Sequence, residues 1–210
     1  MIARVAAEQP GQAEVARSNG IKHPQKQGTR EMSFFDKVVA AVTPPESAEE
    51  RIEARAKARE AAEAGDWLEQ IVQHHEQIED AFARAEAATG PAPRKAAVQE
   101  LGALLTGHSS AEEAVIYPQL SDDHKAQMAM SYEEQQAAKV ELALLEQLDP
   151  ASEDWVDKLG HIKGAVAHHV YEEESSRFIH LKRELPADVQ AHMTARYREE
   201  TGRYDGGLIG

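Results

Sequence analysis

The chain has 210 residues, enough to bury one full hydrophobic core with residues left for extensions. Its net charge of −14 argues against nucleic acid as a partner, because phosphate binding needs concentrated Lys and Arg. With no cysteine, disulfides, thiolate zinc sites, iron–sulfur clusters and cysteine nucleophiles are all excluded, so any metal must sit on nitrogen and oxygen. No window approaches a membrane span and no secretory signal opens the chain, so a cytoplasmic location is expected, with no membrane partner.

Aromatic residues make up 5% of the chain and helix formers dominate, which predicts an all-α protein. Residues 1–31 carry five basic and three acidic side chains without helical periodicity. They read as a disordered extension, and Met32-Ser-Phe-Phe-Asp-Lys resembles an ordinary protein start. Residues 32–65 form an N-terminal arm: Pro44-Pro45 breaks the chain, and Ser47 with Glu50 is a capping box for a polar helix running to about Gly65. The polarity of that helix suggests a peripheral position.

Asp66 with Glu69 starts the next helix, whose seam carries Leu68, Ile71, His75, Ile78 and Phe82. After Thr89-Gly90-Pro91 comes a helix with Leu101, His108, Glu112 and Val115 on one face, stopped by Pro118. Ser121-Asp122-Asp123 offers an N-cap to a helix lined by Met128, Gln135, Ala138, Leu142 and Leu145. Ser152 caps the fourth, with Trp155, Leu159, Ile162, Val166, His169 and Glu173. Four amphipathic helices with short connections predict an antiparallel up-down-up-down bundle over residues 66–185. Pro186 separates a short C-terminal helix and tail over 186–210.

His75, His108, Glu112, His169 and Glu173 are polar where the helical period demands apolar side chains. In His108-x-x-x-Glu112 and His169-x-x-x-Glu173 the two side chains lie one turn apart on one face, able to share one ion or two adjacent ions. The two segments also share an aromatic residue five positions after the Glu, Tyr117 and Phe178. Antiparallel pairing places His75, His108, Glu134 and His169 at one depth, while His161 lies about 12 Å along its helix from His169 and His124 is similarly remote. His180 with Glu184 reads as a chance match. The neighbours His74, His168, Glu113 and Glu172 differ from seam positions by one residue of phase and read as outer groups. Tyr117, Tyr132 and Tyr171 read as packing residues, and Glu172-Glu173-Glu174 as a solvated run apart from Glu173. Imidazole mixed with carboxylate suits Fe, Mn or Zn.

Gln73-His74-His75-Glu76-Gln77-Ile78, the His108 to Pro118 segment and His168-His169-Val170-Tyr171-Glu172-Glu173 resemble the hemerythrin-like, or HHE cation-binding, family across about residues 66–182. The resemblance implies a non-haem di-iron site with His75, His108 and His169 as terminal ligands and Glu112 and Glu173 as bridges. It departs at the third bundle helix, where the family has Glu-His and this chain has Glu134-Gln135. Either Glu134 supplies a carboxylate ligand or Gln135 leaves an open position. The function implied is binding, sensing or reaction with O2, peroxide or NO, or iron handling, in a stress setting, with di-iron oxidase or peroxide-decomposing activity. The alternative is a metal-dependent regulatory module without turnover, and a purely structural bundle would carry no metal.

Because residues 1–31 contribute no periodic apolar face, their removal should leave the melting temperature and metal content unchanged, as calorimetry and metal analysis of the shortened chain would check.

Overall fold

Four of the helices begin where a side chain or a glycine prepares the turn. In this computed structural model, which describes residues 46–120 and 125–205, Ser47 Oγ accepts from Glu50 N at 3.1 Å and Glu50 Oε2 accepts from Ser47 N at 2.7 Å. This capping box opens α1 (Ala48–Ala61). Gly65, at φ +77°, lets the chain turn, and Asp66 Oδ1 then caps α2 (Trp67–Ala87) by accepting from Glu69 N at 2.8 Å. Gly90, at φ +91°, with Pro91 at the first helical position, starts α3 (Pro91–Ala111). The start of α4 (Lys125–Leu145) is described without the expected Ser121–Asp123 cap, which lies outside the described residues together with residues 1–45. Ser152 Oγ caps α5 (Glu153–Glu172), accepting from Trp155 N at 3.2 Å. The short α6 (Phe178–Glu184) follows, and α7 (Ala187–Asp205) starts directly after Pro186.

Helices α2 to α5 close a ring of neighbours, α2 on α3, α3 on α4, α4 on α5 and α5 on α2, and no strand occurs among the described residues. The protein is an all-helical bundle, and no described helix is long and apolar enough to cross a membrane. Its apolar interior is in two parts. One, around Phe82, Leu101, Leu145, Trp155 and Ile162, fills one part of the bundle. The other, around Trp67, Ile71, Ile116, Tyr117, Phe178 and Tyr197, joins α2 to the segments following α3 and α5 and to α7. Trp67 and Phe178 meet edge to face there, with ring centroids 6.0 Å apart.

The ends of α3 and α5 share an unusual feature. Glu112–Ile116 and Glu173–Arg177 are π-helical, closed by bonds from Tyr117 N to the Glu112 carbonyl and from Phe178 N to the Glu173 carbonyl. The aromatic residue five positions after each Glu is therefore the partner that closes the widened turn. In an α-helix a residue five positions on would face about 140° away; the wider turn brings it back toward the side its Glu faces.

Helix α1, polar as expected, does not stand apart. It buries Ala54 and Ala58 against α2, α6 and the π-helical segment after α5. Helix α7 packs on α2 and α3 through Met193 and Tyr197, both buried. Leu159, 1% exposed, should cost about 2–5 kcal/mol of stability when replaced by Ala. Leu144→Ala, at a position 44% exposed, should change stability by less than about 0.5 kcal/mol, both measured by denaturant unfolding.

Candidate metal centre

Three helical elements send side chains into the interior. His75 comes from the middle of α2, His108 and Glu112 from the end of α3, and Glu173 from the end of α5. One ligand atom from each of these four buried residues lies within 4.8 Å of the other three. His75 Nε2 is 3.4 Å from Glu173 Oε2 and 3.9 Å from Glu112 Oε1, and His108 Nε2 is 3.3 Å from Glu112 Oε2. His169 adjoins the group, its Nε2 3.3 Å from Glu173 Oε1.

All three imidazoles are held by their other nitrogen. His75 Nδ1 lies 2.9 Å from Glu174 Oε1, His169 Nδ1 2.8 Å from Glu134 Oε2, and His108 Nδ1 3.1 Å from the Tyr197 hydroxyl. With Nδ1 engaged outward, each Nε2 is turned to the cluster, the arrangement that orients metal-binding histidines. Arg55 of α1 in turn donates from Nε to Glu174 at 3.0 and 3.1 Å.

Three inward atoms, His75 Nε2, Glu112 Oε1 and Glu173 Oε2, are buried without a hydrogen-bond partner. Buried polar atoms are rarely left this way, and these three face one another. A cation would satisfy all three, and mixed imidazole and carboxylate donors suit Fe, Mn or Zn.

The ionisation of the cluster follows from that crowding. Burial, with repulsion from Glu173, pushes Glu112 up to about 8. Burial works against charge on Glu173 too, but His169 and His75 hold it well below the usual carboxylate range. Burial alone would lower His75, yet the carboxylates of Glu173 and Glu174 beside it raise it to about 9. His169, likewise opposed by burial, is raised to about 10 by Glu173 and Glu134. His108 is pushed well below its usual value, first by burial and then by His75. Without a cation, protons balance the buried carboxylates.

On α4 the expected ligand Glu134 engages Nδ1 of His169, on the outer side of that ring. Its neighbour Gln135 faces the carboxylates, donating from Nε2 to Glu112 Oε2 at 2.6 Å. Tyr117, read from sequence as packing, does pack fully buried, but its hydroxyl also reaches Glu173 Oε1 at 2.9 Å, Glu112 Oε2 at 3.3 Å and His169 Nε2 at 3.3 Å. Its spacing from Glu112, repeated by Phe178 after Glu173, was the signal available in the sequence. Glu174, expected to be solvated, is 1% exposed; His75 and Arg55 account for its burial. Tyr197, Glu174 and Arg55 were missed because their partners lie about 90 or more residues away in the chain.

The one-phase neighbours are occupied outside the cluster. His74 Nδ1 is 3.0 Å from the Tyr197 hydroxyl, His168 Nδ1 2.9 Å from Glu46 Oε2, Glu113 2.9 Å from Lys139 Nζ, and Glu172 2.7 Å from Arg177. His180 and Glu184 form an exposed pair at 3.1 Å. His161 is half-buried and not part of the four-residue group, and His124 lies outside the described residues.

A cavity of about 30 Å³ borders the centre, with His108, Glu134, Gln135 and His169 on its polar side. Ile78, Leu105, Ala138, Ala165, Val166 and Val170 supply apolar wall. That volume has room for about two water-sized molecules.

Bundle and cluster together define a helical cation-binding domain. Residues 66–178, more than half of the chain, match the Hemerythrin HHE cation binding domain, and the chain belongs to that family. Comparisons with curated proteins and with solved structures find no match.

Glu112, His75 and His169, raised to about 8, 9 and 10, hold protons at pH 7 in the metal-free centre and must release them to ligate a cation. Adding Zn²⁺ to apo-protein in weak buffer at pH 7 should therefore release protons, and metal affinity should rise with pH through that range and fall below it. Calorimetry in buffers of different ionisation enthalpy would measure the release.

Proposed function

We propose that the centre holds two non-haem iron ions and that the protein binds, senses or reacts with O2, hydrogen peroxide or NO there, in a stress setting. The observation that carries this reading is the set of unpartnered, mutually facing atoms of His75, Glu112 and Glu173, all fully buried. The splay of the carboxylates supports a pair of ions. Glu173 turns Oε2 toward His75 and Oε1 toward His169, while Glu112 turns Oε1 toward His75 and Oε2 toward His108. One ion would take His75 and His108, and the other His169, with Glu112 and Glu173 shared.

Bound iron supplies the redox and small-ligand chemistry. The surrounding residues of this chain shape it. Glu134 and Glu174 accept from the Nδ1–H groups of His169 and His75, making both rings stronger donors and favouring the more highly charged, oxidised state. Tyr117 places a hydroxyl proton between Glu112, Glu173 and His169, where it can be donated to a small ligand. Gln135 holds Glu112 and lines the cavity, whose size supports ligands of two or so heavy atoms.

Iron analysis of protein purified without chelator should give two irons per chain. His108→Ala and Glu112→Ala should each strip metal, and full occupancy in either would sink the assignment. His180→Ala should keep it, since that side chain is 54% exposed and pairs with Glu184 on the surface. Tyr117→Phe should retain iron but slow peroxide consumption on the order of 10²-fold, followed in a stopped-flow spectrometer. Iron binding with no consumption of peroxide and no spectral response to O2 or NO would leave the regulatory reading in its place.

A further inference from the structure

The family match ends at Phe178, yet α7, which starts at Ala187, touches the centre. Its approach depends on a glycine. A Cβ on Gly107 would lie 2.9 Å from Tyr204 Cβ, closer than real Cβ contacts come, so only Gly at this point lets α7 lie so near α3. Tyr197 is seven residues, or two turns, before Tyr204 and shares its face of α7. Gly107 immediately precedes His108, so the close approach brings the fully buried Tyr197 onto that residue.

The Tyr197 hydroxyl is 3.1 Å from His108 Nδ1 and 3.0 Å from His74 Nδ1. A phenol has one proton, so it can donate to only one of these rings and must accept from the other. His108 presents Nε2 to Glu112 and the cluster, so as a metal ligand it carries its proton on Nδ1 and donates it to Tyr197. The phenol proton then goes to His74 Nδ1, which places the His74 proton on Nε2. One hydroxyl thus selects the tautomer of two histidines. His75 and His169 rest on carboxylates, whereas His108 rests on this neutral oxygen.

We infer that Tyr197 is a positioning residue for the metal centre: it holds His108 with Nε2 toward the cation, which makes the C-terminal helix an integral part of a site that the family domain alone does not complete. This rests on the reading of His108 as a ligand.

The test uses the full chain loaded with Co²⁺, whose bound histidines give hyperfine-shifted, solvent-exchangeable Nδ1–H proton resonances. The unaltered protein should show one for His108, assigned by nuclear Overhauser effects to the ring protons of Tyr197. Tyr197→Phe should move that resonance or abolish it through fast exchange, leave those of His75 and His169 in place, and weaken Co²⁺ binding about tenfold. Gly107→Ala, which presses on Tyr204 and hence on α7, should perturb the same resonance. Met193→Ala, which removes buried packing from α7 without touching the hydrogen bond, should lower the melting temperature and leave the resonance unmoved. An unchanged His108 resonance and Co²⁺ affinity in Tyr197→Phe would overturn the positioning role alone. Failure of the unaltered chain to bind Co²⁺ would overturn the metal reading and this inference with it.

Discussion

Two carboxylates, Glu112 and Glu173, sit wholly inside this protein in a polar layer between two apolar cores. Removing one such charge from water costs several kcal/mol even after relaxation, and placing two side by side adds repulsion. A bundle of this size, with net stability of the order of 5–15 kcal/mol, tolerates the pair in ionised form only with positive charge between or around it. The three imidazoles, the Gln135 amide and the Tyr117 hydroxyl are all directed at these oxygens. Beyond them a further ring holds the imidazoles in place. The rest of the architecture buries that layer and fixes its geometry.

The helix ends do much of this. Each Glu is the first residue of a π-helical turn, so the backbone widens at the point where the buried carboxylate side chain leaves the helix. The turn closes on an aromatic residue that serves the local packing: Phe178 seals against Trp67, and Tyr117 stacks edge to face on Tyr132 while its hydroxyl returns to the carboxylates. One backbone device thus joins the polar layer to the apolar core beside it.

The bundle could be read from the sequence because its helices are amphipathic and its caps local. His75 and the two His-x-x-x-Glu pairs stood out for the same reason, as polar residues on an apolar seam. Phase was the limit on α4. Adjacent residues are about 100° apart around a helix, so Glu134 and Gln135 both lie near the seam, and small differences in helix rotation decide which meets the carboxylates and which meets the back of His169. Nothing local marks Arg55, Glu174 or Tyr197 as parts of the centre. Arg55 is on a helix whose polarity suggests solvent, but the buried Glu174 at the end of α5 gives its charge a partner and draws α1 onto the bundle. Tyr197 depends on the close crossing at Gly107, a property of two helices about ninety residues apart in the chain.

These outer contacts make the centre asymmetric. His75 and His169 lean on carboxylates, which strengthen them as donors, while His108 leans on a phenol that leaves its ring closer to neutral imidazole. The cavity opens on His108, Gln135 and His169, and His75 is not among its lining residues. Gln135 is an amide with an unpartnered buried Oε1, so the wall nearest the carboxylates offers a polar group that neither charges the cavity nor fills it. The cavity therefore meets the centre between an imidazole backed by a phenol and an imidazole backed by a carboxylate. The two sides of that opening thus differ in electrostatic character, and the difference is set by residues of α4 and α7.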